Sequence, residues 1–303
     1  MHRERQGRRD LTVVLRSPVG ADRTGRAAAA LVGPVVGRPP GADVGPRIPG
    51  RAVMSFSTGG GYQSSSAPGS IVGRGYLCGK EANMALKPGF RLGIYVFEDV
   101  EIIDFAAPYG VFSVARRYDP ELDVFLVGEA MRTTQAQAGL TLLPNYAFGD
   151  RPAMDAFLIP GGAGTRQEMH NRRLHEFVTT LPTTTLLVSV CTGSWIYGAM
   201  GLLDGLPATS RKEADAQEAS SRGMVPIDRL ATIAPACRIS RARVVDAGRI
   251  ITAGGIASGM ELGFHLLQRA GYDETFVSEV ARVMEYHAAY ELYRDDIEPA
   301  APG

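Results

Sequence analysis

Cys191 is the residue of this chain whose type and position best suit a nucleophile. It follows the apolar run Thr185-Leu186-Leu187-Val188-Ser189-Val190 and precedes Thr192-Gly193-Ser194. The run reads as a buried strand, and the residues after it as a helix from Ser194 to Leu203 ended by Asp204-Gly205. A side chain on so sharp a strand-to-helix turn is pushed outward, with a helix N-terminus beside it. The positive end of that helix favours thiolate over thiol, so the Cys191 pKa is expected below the free value of about 8.5. Gly193 leaves room for the tight approach. The competing reading is a buried structural cysteine, a common state for this residue type.

Two other groups follow apolar runs in the same way. Gly161-Gly162 come after Ala156-Phe157-Leu158-Ile159-Pro160. Their N–H groups, with that of Thr192, could form an oxyanion hole facing the sulfur; an ordinary strand-ending turn explains them equally well. Neither a G-x-G-x-x-G nor a Walker pattern occurs there, which disfavours a phosphate loop. Asp104 comes after the run Leu92 to Phe97. Asp is a preferred helix cap, and helical spacing runs from Phe105 to Arg116. Pro108 favours the first helical position, however, which puts the cap at Ala107 and leaves Asp104 just ahead of the helix. Cap and catalytic carboxylate both remain open at this stage.

These residues need elements to hold them. Val124 to Val127 is a further buried strand, Thr133 to Leu143 a hairpin, and Leu174 to Leu181 a helix. Arg211 to Arg222 reads as a polar helix, and Val244 to Ile251 as a hairpin turning at Ala247-Gly248. Ser258-Gly259-Met260-Glu261 has the form of a capping box, and Asp273 caps the last expected helix. Short buried strands alternating with amphipathic helices imply a doubly wound, mostly parallel α/β sheet with helices on both faces. Sites in such sheets lie outside the carboxyl ends of the strands, where Asp104, Gly161-Gly162 and Cys191 all fall.

Composition narrows the class. Residues 1–83 carry 12 basic and 5 acidic side chains, whereas residues 84–303 carry 20 basic and 27 acidic ones. An acidic body argues against nucleic acid as a main partner. Residues 1–83 also hold 15 of the 36 glycines and 7 of the 19 prolines, and read as a disordered extension ahead of one domain over 84–303. Arg16, Asp22, Arg23 and Arg26 interrupt any signal-peptide core. The blander reading is a non-functional extension, with translation starting at Met54 or Met84. Three cysteines exclude full disulfide pairing, and no Cys or His spacing suggests a metal site. No apolar run reaches the roughly 18 residues of a membrane span. A reducing cytoplasm fits this composition. Cys237 and Trp195 read as packing, and no histidine lies close behind Cys191 in sequence.

Phe157-Leu158-Ile159-Pro160-Gly161-Gly162, Ser189-Val190-Cys191-Thr192-Gly193-Ser194 and Ile251-Thr252-Ala253-Gly254-Gly255 together resemble the ThiJ/PfpI superfamily of the class I glutamine amidotransferase-like fold. Asp104-Phe105-Ala106-Ala107-Pro108-Tyr109 resembles the Asp-x-x-Gly-Pro-Tyr segment of its isonitrile hydratase-like branch. The likeness spans roughly Leu92 to Tyr286. It implies a flavodoxin-like domain that dimerises with its own copy. It also implies Cys191 as nucleophile, Asp104 as its carboxylate partner, and Gly162 and Thr192 as backbone donors, with the Thr192 hydroxyl assisting proton traffic. A small-molecule substrate is implied, with no metal or organic cofactor.

One departure stands out. The family often has a histidine after the elbow helix where this chain reads Thr209-Ser210-Arg211-Lys212. That puts a Cys–His dyad in doubt but not a Cys–Asp site. Arg211 could favour an anionic substrate, or be a solvated residue at the start of a helix. The expected activity is hydration of an isonitrile to an N-substituted formamide. The alternatives are a glyoxalase-, deglycase- or amidase-like enzyme, and a redox or ligand sensor related to the ligand-side domain of AraC-type regulators. Only Ala288 to Gly303 follow the last expected helix, too few residues for the DNA-binding domain such regulators carry.

Overall fold

The computed structural model describes residues 89–215 and 225–299, all within the compact unit Leu77–Gly303. The extension read over 1–83 and Cys78 lie outside the described residues, as does most of the helix read over Arg211 to Arg222. Its described part, 211–215, is not helical.

The strands are β1 (Arg91–Tyr95), β2 (Asp123–Gly128), β3 (Thr134–Gln135), β4 (Thr141–Leu142), β5 (Tyr146–Ala147), β6 (Ala156–Ile159), β7 (Leu186–Val190), β8 (Pro207–Ala208), β9 (Arg238–Ile239), β10 (Val244–Asp246), β11 (Ile250–Ala253) and β12 (Ile297–Glu298). The helices are α1 (Ile102–Ala115), α2 (Thr165–Glu168), α3 (Arg172–Thr180), α4 (Gly193–Ala199), α5 (Pro226–Ile233), α6 (Gly259–Arg269), α7 (Glu274–Val283) and α8 (His287–Tyr293).

Eight strands form the main sheet in the order β12-β10-β11-β7-β6-β1-β2-β5. Every pairing in it is parallel except β10 with β11. The central strands β1, β6, β7 and β11 consist almost wholly of buried residues, as a sheet covered on both faces requires. The Thr133–Leu143 hairpin forms as the antiparallel pair β3–β4, and the Val244–Ile251 hairpin turns at Gly248 with φ +90°. The chain leaves β1 toward β2 on one side and returns to β6 on the other. The crevice between β1 and β6 is therefore the point where the winding reverses, the usual place for a site in this architecture.

Several local expectations are corrected. Helix α1 starts at Ile102 with Glu101 as its N-cap, so Asp104 is the third helical residue and Pro108 the seventh. A proline there forfeits one backbone bond, about 3 kcal/mol in an unsupported helix. Burial of Phe105, Val111, Phe112 and Ala115 against the core offsets that cost. Helix α4 stops at Ala199, a turn early, because Gly201 takes the left-handed conformation (φ +73°). Ser258 makes no side-chain cap; Glu261 turns inward to Arg243 at 2.8 Å and to the Tyr286 hydroxyl at 2.7 Å. Asp273 does cap its helix, accepting from the Phe276 N–H at 2.9 Å, but that helix is not the last. α8 and the edge strand β12 follow it, the latter paired with β10.

Candidate active site

The elbow is pinned from both sides. The Cys191 N–H donates to the carbonyls of Gly254 (2.8 Å) and Ala253 (3.1 Å) at the end of β11. Its own carbonyl accepts from the Ser210 and Ser194 hydroxyls at 2.9 and 3.0 Å. With both backbone groups held, Cys191 sits at φ +57°, a conformation costing a non-glycine residue roughly 1–2 kcal/mol. Asp99, Ala138 and Ile256 share such positive φ values, and all four residues line one cavity of about 700 Å³. Strain of this kind persists only where the surroundings impose it, and it clusters at functional sites.

Gly161 is the centre of the arrangement. Its N–H donates to Asp104 Oδ2 at 2.8 Å. A Cβ on Gly161 would lie 2.6 Å from that oxygen and 2.8 Å from both Cys191 Cβ and the Thr192 nitrogen. Three chain segments thus meet at the one residue without a side chain. Its neighbour Gly162 (φ +122°) bridges to Val100 and donates its N–H to Thr192 Oγ1 at 3.2 Å. The N–H groups of Gly161 and Gly162 are therefore already engaged by side chains of the site. The Thr192 N–H and hydroxyl act to lower the pKa of the Cys191 thiol, and the same hydroxyl lies 3.5 Å from the Gly162 carbonyl.

Asp104 is fully buried, and its carboxylate serves no capping role. Burial, with Glu101 nearby, pushes its pKa up to about 8 against the pull of the Gly161 N–H, Cys191 and Arg211. Its second oxygen, Oδ1, has no hydrogen-bond partner. Cys191 is only 4 % exposed, not thrust into solvent. Burial first, then the Asp104 carboxylate, push its thiol well above the ordinary value, outweighing Arg211 and the Thr192 donors. The expectation of a lowered thiol pKa is thus reversed, because it considered the helix end without the desolvation.

Arg211 reaches the cavity, not open solvent, with its side chain 16 % exposed. Its stem crosses Gly255, where a Cβ would fall 2.5 Å from Arg211 Cγ, and its guanidinium lies 3.9 Å from the Asp215 carboxylate. No histidine lines the cavity among the described residues. Three residues were missed in the sequence. Thr165, fully buried, bonds to Thr192. Arg166 lines the cavity with its guanidinium over the Trp195 ring. Gln137, with its amide oriented to suit both partners, links Glu101 to the Ala163 N–H at 2.9 and 3.2 Å. They come from loops and a one-turn helix that periodicity does not mark. Trp195 is core as expected, its Nε1 donating to the Pro226 carbonyl at 3.0 Å.

Against known proteins, the DJ-1/PfpI family signature matches residues 91–269, from β1 to the end of α6. The chain belongs to the DJ-1/PfpI family. It is 32% identical over 186 residues to isonitrile hydratase of Pseudomonas putida, covering 61% of this chain and 72% of the relative. It is 28% identical over 165 residues to the HTH-type transcriptional regulator GbdR of Pseudomonas aeruginosa (strain UCBPP-PA14), covering 52% of this chain but only 41% of the regulator. The crystal structure of a ThiJ/PfpI family protein from Pseudomonas syringae superposes with a TM-score of 0.55 at 20% identity, covering 76% of this chain and 96% of that one. The last likeness concerns the fold alone, the flavodoxin-like DJ-1/PfpI sheet. Among the described residues no helix is long and apolar enough to cross a membrane.

Proposed function

We propose that this chain is a cysteine-dependent isonitrile hydratase, converting R–NC and water to the formamide R–NH–CHO. The observation that carries the reading is the buried Asp104 carboxyl, held by Gly161 through Oδ2 and unpartnered at Oδ1, beside Cys191. Because Oδ2 accepts from an N–H, the acid proton belongs on Oδ1. Likeness to the Pseudomonas putida hydratase supports the same chemistry.

The cycle starts from a pair that has lost one proton and shares the other. The sulfur bonds to the terminal isonitrile carbon while Asp104 Oδ1 gives that carbon its proton, leaving the thioformimidate R–N=CH–S and a carboxylate. Asp104 next takes a proton from water as the water oxygen bonds to carbon, and passes it to nitrogen. Finally the C–S bond breaks, the new hydroxyl proton returns to Asp104, and R–NH–CHO leaves. One carboxyl in alternating protonation states serves all three steps. Thr192 supports the thiolate leaving group. An oxygen forming on carbon would meet the Gly162 and Thr192 N–H groups, displacing the Thr192 hydroxyl from the former. Arg211 supplies fixed positive charge and no base, which disfavours amide hydrolysis by a Cys–His route.

The test is formamide production from a panel of alkyl and aryl isonitriles by wild type, Cys191→Ala and Asp104→Asn. Wild-type turnover, lost by at least about a thousandfold in Cys191→Ala, is expected. No turnover by wild type, or undiminished turnover by Cys191→Ala, sinks the proposal. The regulator relative favours ligand sensing as a second reading. Saturable isonitrile binding without turnover would select it.

A further inference from the structure

We infer that Ile256 is a specificity-determining residue, the apolar wall that receives the nitrogen substituent of an isonitrile bound at Cys191. The inference rests on the hydration reading and adds a substrate class to it, isonitriles with a bulky apolar substituent. Ile256 has φ +32°, and a β-branched residue at positive φ is an outlier, because its branched side chain crowds the backbone. Burial in the core does not offset that strain. The residue is 37 % exposed, and it lines the same cavity as Cys191. Folding alone would favour glycine at such a position.

The conformation is imposed from both ends of the loop. At one end, the Gly254 and Ala253 carbonyls accept the Cys191 N–H at 2.8 and 3.1 Å. At the other, Gly259 lies so close to α1 that a Cβ there would fall 3.1 Å from Pro108 Cδ and 3.2 Å from Ala107 Cβ. Between them, the Arg211 stem covers Gly255, and the Gly255 carbonyl accepts the Ser258 N–H at 3.1 Å. The loop is thus tied to the elbow that carries the nucleophile and to the helix that carries Asp104. Strain persists where the surroundings over-determine it in this way. It holds Ile256 at a fixed place relative to both reacting groups.

The shape of an isonitrile suits that place. Its terminal carbon, its nitrogen and the first substituent atom lie on one line. When sulfur takes the terminal carbon, the substituent points away from the sulfur. Cys191 is 4 % exposed and Ile256 37 %, so the sulfur lies at the floor of the cavity and Ile256 toward its mouth, where the substituent arrives. Apart from the nucleophile, the other described residues lining the cavity are charged, polar, or no larger than alanine. Ile256 is the branched apolar side chain among them, and what it offers a ligand is cover for an apolar group.

The experiment compares cyclohexyl with methyl isonitrile in wild type, Ile256→Ala and Ile256→Val, all as the full chain. Wild type is expected to favour the cyclohexyl substrate in kcat/KM. Ile256→Ala should lose about tenfold of that preference, mainly through KM, because the contact is made in the ground state as well as the transition state. Ile256→Val keeps the branch and should lose no more than about threefold. In parallel, the two formamide products are tested as protectants of Cys191 against iodoacetamide, followed on the Cys191 peptide by mass spectrometry. Half-protection of Ile256→Ala should need about tenfold more N-cyclohexylformamide than wild type needs, relative to N-methylformamide. The inference is overturned by a wild type without size preference, or by a preference that survives in Ile256→Ala. A loss equal for both substituents also overturns it, and a lowered melting temperature would then mark Ile256 as structural. Protection needs no turnover. A wild type that hydrates no isonitrile, but shows a preference in protection that Ile256→Ala loses, sinks the hydration reading and leaves Ile256 in its role.

Discussion

The Gly161 N–H donates to Asp104 Oδ2 at 2.8 Å, and this single bond makes the two oxygens of the carboxyl unlike. One is fixed as an acceptor, while the other is buried without a partner. A symmetric buried carboxyl would place its proton at random. In the proposed cycle this one holds its proton on the oxygen without a fixed partner, beside a thiol that the same glycine lets approach.

The first prediction concerns pH. Below about 8 both carboxyl and thiol hold protons, so no thiolate is present. As pH rises toward that value the pair loses one proton and the attacking form appears. Hydration kcat/KM should climb up to about tenfold per pH unit below 8 and level off above it. A rate that is flat or falling between pH 6 and 8 contradicts the shared-proton scheme.

Stability of Asp104→Asn follows from the same burial. The folded-state pKa is raised from 3.8 to about 8, so the native state binds the extra proton between those values. Stability is then lost as pH rises through that window. Asparagine removes the cost. Thermal melts should show little difference between variant and wild type near pH 4 and a growing advantage for Asn up to pH 8, on the order of a few kcal/mol. The expected order is activity down, stability up.

Backbone strain at Cys191 separates two inactivating substitutions. At φ +57° alanine keeps the strain and glycine relieves it. Cys191→Gly should be more stable than Cys191→Ala by about 1 kcal/mol, read from chemical denaturation, although both lack the sulfur. Equal stabilities would mean the elbow relaxes when the sulfur is removed.

Gly161→Ala places a methyl within 2.8 Å of Asp104, Cys191 and Thr192. Such overpacking costs about 1–3 kcal/mol. The turn has to move, breaking the bond to Asp104 Oδ2. Formamide production should fall by two orders of magnitude or more with the protein still folded, as judged by circular dichroism.

Arg211 favours the Cys191 thiolate electrostatically. Arg211→Met retains a stem against Gly255 and removes the charge, so the pH midpoint of Cys191 alkylation should move upward, with a roughly three- to tenfold slower reaction at fixed pH. Gly255→Ala should act in the same direction, because its methyl occupies the path of the Arg211 stem. Unchanged alkylation in both would remove Arg211 from the account.

The apolar runs Leu92–Phe97, Val124–Val127, Ala156–Ile159 and Thr185–Val190 were legible as strands because both faces of a central parallel sheet need continuous apolar sequence. The same logic marks the strand ends, and with them Asp104, Gly161 and Cys191. Helix limits were less legible. Pro108 and Gly205 are local punctuation, and burial of α1 and the turn at Gly201 overrode them. Thr165, Arg166 and Gln137 were invisible, since a one-turn helix and a loop carry no periodic signal. Sequence by itself therefore determined the residues at the strand ends, Asp104, Gly161 and Cys191, because an apolar strand and the group that ends it are written locally. Only tertiary structure decided their state. Whether Cys191 is exposed or buried, which oxygen of Asp104 is tied, and where the N–H groups of Gly161 and Gly162 point depend on how closely β1, β6 and β7 bring their ends together. Desolvation is a property of that assembly and not of any one segment, which is why the thiol lies above its ordinary pKa where the elbow alone predicts it below.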